Sequence, residues 1–533
     1  MKKLIVVIFI FFAVNSYSQK ITEKKIVSFP ADTTESYYDF SYDSENGTYV
    51  RSTYNSGTDK NFLESNKGKS AEYSYFEFYN LEYDKYGNYY VVAQLSSPQS
   101  DSKFYLLKNG KEIATYGFIN GNIAVDDDYV YFYATESEKS FVGKYNFRKE
   151  KLEFGKSYEY INLCAYDKEA VGEPVFTFGF NGSGDLYYIA GAGGKEFMVI
   201  GDEEQKKFTS IDNYTVTLDL KGKVCYIGTD DSGPYSQLIQ GSKEYQKFKY
   251  VRGPIKFNDN NVPVYLASDD VDNTQNPGII VNGNEKTKTN YQGGIYDFVV
   301  SPSGKIAFVA MESTENDSKS LVVYQGKESK KYDNIYNLMF NPDDRLIYSA
   351  SEKDISTLIV DNKETGNKYS NIYYVTYSPD KKICYIGQNY KTMPDSSRLE
   401  ENYYIFGDKV LGPYYDYSYE YEMNYDNIVF DKSGSYAFIA SDEAGNNSET
   451  LNYKVFTDKW SSEPFGIIQN LHMYDKNVYY LIFTDEPQTN AFYKNKKKIS
   501  KDYKSVLNLK YDDDKVTFIG NRDDSYYFVT IEL

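Results

Sequence analysis

Histidine is almost missing from this chain: 533 residues contain one, His472. General acid–base chemistry near neutral pH and transition-metal ligation both lean on imidazole, so a multi-histidine metal site cannot be built. A serine triad would have to recruit His472, which stands in Asn470-Leu471-His472-Met473-Tyr474 with no Gly-x-Ser-x-Gly turn nearby. We therefore expect no catalytic residue, no metal site and no cofactor, and read the chain as non-enzymatic, with His472 a strand-end residue. Cysteine is scarce as well. Cys164, Cys225 and Cys384 are too few for a disulfide framework. Cys225 in Val-Cys-Tyr-Ile-Gly and Cys384 in Ile-Cys-Tyr-Ile-Gly hold the same place in two copies of a repeat, which predicts small buried hydrophobes. No stretch reaches the ~20 apolar residues of a transmembrane helix. Positive charge is in deficit, with 59 Lys and Arg against 77 Asp and Glu, a net charge of −18. Such a polyanion repels phosphate, so neither nucleic acid nor direct membrane insertion is expected.

The N-terminus has the grammar of an export signal. Met1-Lys2-Lys3 is positive, residues 4–14 are apolar, and Ser16 and Ser18 supply small residues at alternating positions. Cleavage after Ser18 is expected, giving a signal peptide at 1–18 and a repeat domain at 19–533. The first cysteine is Cys164, so no lipid anchor is expected and the mature chain reads as soluble and periplasmic.

What the chain has in abundance is repetition. Ser301-Pro302-Ser303-Gly304-Lys305 precedes Ile306-Ala307-Phe308-Val309-Ala310, and Asn341-Pro342-Asp343-Asp344-Arg345 precedes Leu346-Ile347-Tyr348-Ser349-Ala350. Ser378-Pro379-Asp380-Lys381-Lys382 and Asp431-Lys432-Ser433-Gly434-Ser435 open two more apolar strands. Fainter copies follow Asp84 and Asn181, and others centre on Asp43, Asp126, Leu220, Asn258, Asp475 and Asp512. Midway through most units a second hairpin appears, as in Leu321-Val322-Val323-Tyr324-Gln325-Gly326-Lys327 running to Tyr332. Two hairpins per unit give four strands, and units spaced by about 40 residues match propeller blades.

The Ser-Pro-Asp-Gly-Lys style of strand entry resembles the WD40-like repeats of periplasmic propellers of the Tol–Pal type. The resemblance implies an all-β propeller of about 12 four-stranded blades, within a range of about 11–14. Unbroken spacing favours one large ring over two tandem rings of six or seven blades. The last unit is short, so residues 20–40 are expected to supply its missing strands and latch the termini together. Composition rich in Lys, Asn and Tyr, with an export signal ending near Ser-Gln, resembles chains from Bacteroidota. The whole resembles the propeller that plugs the outer-membrane channel of type IX secretion, which implies a protein partner of that kind.

Candidate contact residues come from two places. Tyr415, Tyr417, Tyr419 and Tyr421 alternate with Asp416, Ser418, Glu420 and Glu422, so they share one face of a strand. They read either as an aromatic contact surface or as packing between blades, packing being the commoner use. Two units run long, with extra material at 148–173 and 389–402; the second brings Met393, Asp395 and Arg398 forward as partner-facing residues. Acidic clusters at Asp126, Asp230, Asp269 and Asp512 fit hairpin turns better than calcium loops. Carboxylates that act across space leave no linear signature, so a glycan- or peptide-binding propeller or a carboxylate-dependent hydrolase is the alternative.

Overall fold

The computed structural model describes residues 20–28, 36–97, 100–166, 175–230, 233, 235–270, 277–313, 318–392, 398–416, 428–443, 452–484, 487–512 and 514–533. The signal peptide expected at 1–18 lies outside them. Antiparallel strands dominate, and the helical content of the described residues is one 3-10 turn, Phe78–Asn80. Twelve sheets follow one another as blades built from successive hairpins, four strands deep except in blade 10, where three are described, and in blade 12, whose fourth strand comes from the N-terminus. Blades 1–5 span 36–69, 75–116, 118–158, 160–208 and 210–248. Blades 6–9 span 250–288, 295–328, 334–369 and 371–416, and blades 10–12 span 428–457, 467–498 and 505–532. The fold is a twelve-bladed β-propeller. Residues Asp32–Pro413 form one compact unit, holding blades 1–9 up to that boundary, and Tyr414–Leu533 with the N-terminal strand forms another.

Each blade is held by the period-2 alternation of its second strand, buried on both faces. In blade 8, Leu346, Tyr348 and Ala350 pack with Ala307, Val309 and Val322 of blade 7. The alternate residue Ile347 packs with Tyr385 and Ile405 of blade 9. The core is thus a series of layers between successive sheets.

The turn before each second strand explains the repeat seen in the sequence. In most blades its first residue is an Asp, Asn or Ser whose side chain caps the turn from within, and Asp84, Asp219, Asn258, Ser301, Asn341, Ser378 and Asp431 are buried in doing so. The Oδ1 of Asn341 accepts the N–H groups of Asp343 at 2.9 Å and Arg345 at 2.7 Å. Asp84 caps Tyr86 and Asn88, both at 2.9 Å, and Asp431 caps Ser433 at 2.8 Å and Ser435 at 3.0 Å. These turns also touch the next blade: Leu220 N–H donates to Asn261 at 2.8 Å, and Lys381 pairs with Asp343 at 2.5 Å. The Asp126 cluster is such a turn, its Oδ1 accepting from Asp128 and Tyr129, both at 2.7 Å.

One latch joins the termini. Ile21–Ser28 pairs antiparallel with Ser525–Glu532 and completes blade 12, whose other strands are Ser505–Tyr511 and Lys515–Arg522. The N-terminal segment therefore supplies one strand, not several, because Ser505–Tyr511 already belongs to the last blade. Phe40, expected in the latch, lies in the first strand of blade 1. Among the described residues every other blade is built from consecutive strands, so there is no second latch.

The long unit after Asp126 also needs correction. Lys151–Tyr158 is the ordinary fourth strand of blade 3, and the extra element is a small hairpin of Cys164–Tyr166 with Val175–Thr177. The other long unit extends its central hairpin, pairing Ile383–Thr392 with Arg398–Phe406.

Candidate protein-interaction surface

The first strand is irregular, broken into two short pieces in blades 2–5 and bulged in blades 1, 6–9, 11 and 12, and one buried anchor fixes its register. Phe76, Ile119, Ile161, Ile211, Val251 and Ile295 serve in blades 2–7. Phe76, Ile161, Val251 and Ile295 stand opposite Ala93, Ala190, Ala267 and Ala310 of the second strand. Small residues are required there because an aromatic side chain from the preceding blade lies over the same spot; at Gly387 a Cβ would come within 2.5 Å of the Tyr369 ring.

The next position along the first strand faces the residue just before that alanine or glycine. It is Asp39 opposite Ser52 in blade 1, Glu77 bonded to Val92 in blade 2, and Asn120 bonded to Tyr133 in blade 3. Asn162, Asp212, Arg252 and Asp297 follow in blades 4–7. A row of polar side chains, four of them carboxylates, therefore occupies one level on successive blades. Burial pushes the Asp39 and Glu77 carboxyls above the usual carboxylate range, and no cation opposes the shift. Burial raises Asp297 too, although the field of Lys256 opposes it; Lys256 itself is lowered by burial and donates to the Phe298 carbonyl at 2.5 Å.

Aromatic side chains flank this row. Tyr75, Phe118 and Tyr160 each sit one residue before the anchor and are exposed. Tyr160 rests on Gly191 and donates to Glu196 at 3.0 Å, which holds the ring flat against the sheet. Tyr79 and Tyr214, each three residues after the anchor, are 89% and 64% exposed, and Tyr336 of blade 8 is 56% exposed. Tyr75 lies close enough to Glu77 and Asp39 for both to raise its pKa after burial has done so.

Of the residues singled out in the sequence, Tyr415 ends the fourth strand of blade 9, half-buried, its N–H donating to Ser441 at 2.8 Å. Tyr417, Tyr419, Tyr421, Met393 and Asp395 lie outside the described residues. Of Arg398 the backbone is described, paired with Thr392. The first-strand row was missed by sequence reasoning. Its signal was present: residues 36–43, 75–83, 118–125, 160–162 and 210–218 contain no Lys or Arg, although the chain has 59.

The other candidate groups are packed. Burial raises the thiols of Cys164 and Cys225 to about 12 and that of Cys384 to about 11. His472 is half-buried, which lowers its pKa, and its ring stacks on Tyr511 at 4.3 Å. Both line a cleft of about 1170 Å³ with Asp431, Asp475, Asp512 and Lys476. Among the described residues no three His, Cys, Asp or Glu side chains converge as a metal ion requires.

No protein-family model matches the chain, and no curated protein does. Solved structures similar to it include a eukaryotic initiation factor at 10% identity and TM-score 0.34, covering 68% of this chain and 94% of that one. The propeller domain of the trilobed protease from Pyrococcus furiosus matches at 15% identity and TM-score 0.24, covering 53% and 92%. TolB from Acinetobacter baumannii matches at 12% identity and TM-score 0.22, covering 52% and 78%. The strand pairings, rather than these resemblances, establish the fold.

Proposed function

We propose that this chain is a non-enzymatic, periplasmic interaction propeller of an envelope protein complex, and that the first strands of the blades are its contact surface. The observation that carries the reading is the set of exposed aromatic side chains at repeated positions of those strands and of the turns that interrupt them. Aromatic side chains with a polar tip dominate protein contacts because they bring large rigid area at low entropic cost. A scaffold needs only packing at its blade interfaces, where tyrosines such as Tyr265 and Tyr348 are fully buried. Tyr79 and Tyr214 are instead 89% and 64% exposed. Within this reading the partner is a large outer-membrane protein-secretion channel of the type IX kind, whose periplasmic mouth the propeller plugs. The export signal and composition support that part.

A tagged wild-type copy and a Tyr79→Ser/Tyr214→Ser/Tyr336→Ser variant are purified from the native envelope. The wild type is expected to bring down an outer-membrane channel in near-equal amount, and the variant to lose it. Recovery of the wild type alone, with envelope complexes intact, overturns the reading.

A further inference from the structure

Positive charge is unevenly placed within the blades. In blades 1–5 the first strands carry Asp39, Glu77 and Asp212 and no Lys or Arg over the ranges given above, whereas every fourth strand carries lysine. The fourth-strand lysines have work within the fold: Lys69 stands 3.4 Å over the Phe62 ring, Lys207 4.7 Å over Phe197 and Lys243 4.3 Å over Tyr245. The first-strand carboxylates have less. Asp212 accepts one backbone N–H, from Tyr214 at 3.1 Å, while Asp39 and Glu77 are half-buried beside Tyr75. Glu77 also lies against Gly121 of blade 3, so its carboxylate is brought toward the neighbouring first strand.

Carboxylates partly withdrawn from water and bordered by exposed aromatic faces favour cations. A lysine or arginine head gains both a charge-assisted hydrogen bond and the quadrupole of an adjacent ring. The carboxylates stand on blades 1, 2 and 5, and Asn120 and Asn162 hold the same level on blades 3 and 4, so an extended chain crossing these blades meets a polar group on each. We propose that the first strands of blades 1–5 bind an extended polypeptide segment of the partner that carries lysine or arginine side chains. This rests on the reading of the first strands as the contact surface and specifies the chemistry of what they contact.

The test uses the full mature chain and a labelled fifteen-residue peptide repeating glycine, serine and lysine, with a counterpart carrying glutamate for lysine. Fluorescence anisotropy is read at about 50 and about 300 mM salt, which separates screened from desolvated charge. Wild type is expected to bind the lysine peptide and not the glutamate peptide. Asp39→Asn/Glu77→Gln/Asp212→Asn is expected to weaken binding at least about tenfold. A control of equal charge change on fourth strands, Glu203→Gln/Glu285→Gln/Glu364→Gln, is expected to bind as wild type does. The single Glu77→Gln variant, which removes a burial penalty, is expected to keep the fold, checked by its melting curve, and to show part of the loss. No binding by wild type, equal binding of the two peptides, or equal weakening by the control overturns the proposal. If the tyrosine variant loses its envelope partner while the carboxylate variant keeps it, the charge inference falls and the contact surface stands. If the tyrosine variant keeps its partner, both fall.

Discussion

At the scale of residues, Gly387 shows how blade spacing reaches down to a single hydrogen. The aromatic side chain ending the fourth strand of blade 8, Tyr369, lies over the second strand of blade 9, leaving no room for a Cβ at Gly387. Phe208 over Gly228 and Tyr503 over Gly520 repeat the arrangement. Gly387→Ala is expected to lower stability by about 1–3 kcal/mol by overpacking. In a Tyr369→Leu background the same change should cost much less, and a double-mutant cycle from urea unfolding measures that coupling. The repeated Val-Cys-Tyr-Ile-Gly and Ile-Cys-Tyr-Ile-Gly segments made the buried cysteines legible, because a buried strand writes a continuous apolar run. The reason for the glycine was not legible, since the clashing ring comes from the preceding blade.

At the scale of elements, the latch strand is held by charge as well as by its ladder. Glu23 receives Arg522 at 3.0 and 3.2 Å, Lys501 at 2.7 Å and the Tyr503 hydroxyl. Burial pushes the Glu23 carboxyl up, but hydrogen bonds from Arg522, Lys501 and Tyr503 outweigh it and hold it at about 2, against 4.5 ordinarily. The unfolded chain therefore takes up this proton before the folded chain does. The stabilisation is present in full above about pH 4.5 and drains away as the pH falls toward 2. Glu23→Gln is expected to cost about 2 kcal/mol at pH 7. Melting curves of wild type and variant should converge as the pH drops below 4.5, and a gap that stays constant with pH would contradict the assignment. The capped turns were legible because an Asp, Asn or Ser opens such a turn and closes it with local atoms, the residue three places on taking positive φ whether it is Gly87, Asp344, Lys381 or Gly434. Fourth strands were harder to read. In blades 1, 7, 10 and 11, Ser70, Ser329, Ser462 and Ser500 accept an N–H from the third strand at 2.8–3.0 Å, where the fourth strand breaks off. A serine three residues before Tyr73, Tyr332, Phe465 and Tyr503 is the signature, and it is too short to stand out from composition.

At the scale of the whole molecule, the blade count and the latch follow from the period of the sequence, whereas the contact surface does not. Aligning first strands requires the anchor in each blade and the small residue opposite it, and that pairing exists only once the sheets form. Dense tyrosine sequence drew attention to residues 415–421, yet exposure along the first-strand segments belongs to isolated rings in their turns, such as Tyr79 and Tyr214. The central claim, that these strands meet the partner, is tested most directly by placing a photo-cross-linking amino acid at Tyr79, Tyr214 and, for comparison, Phe154. Phe154 is 54% exposed but lies on the fourth strand of blade 3. Irradiation of intact envelopes should give a discrete heteromeric adduct from positions 79 and 214 and none from 154. Adducts from 154 alone, or none from 79 and 214, would contradict the account.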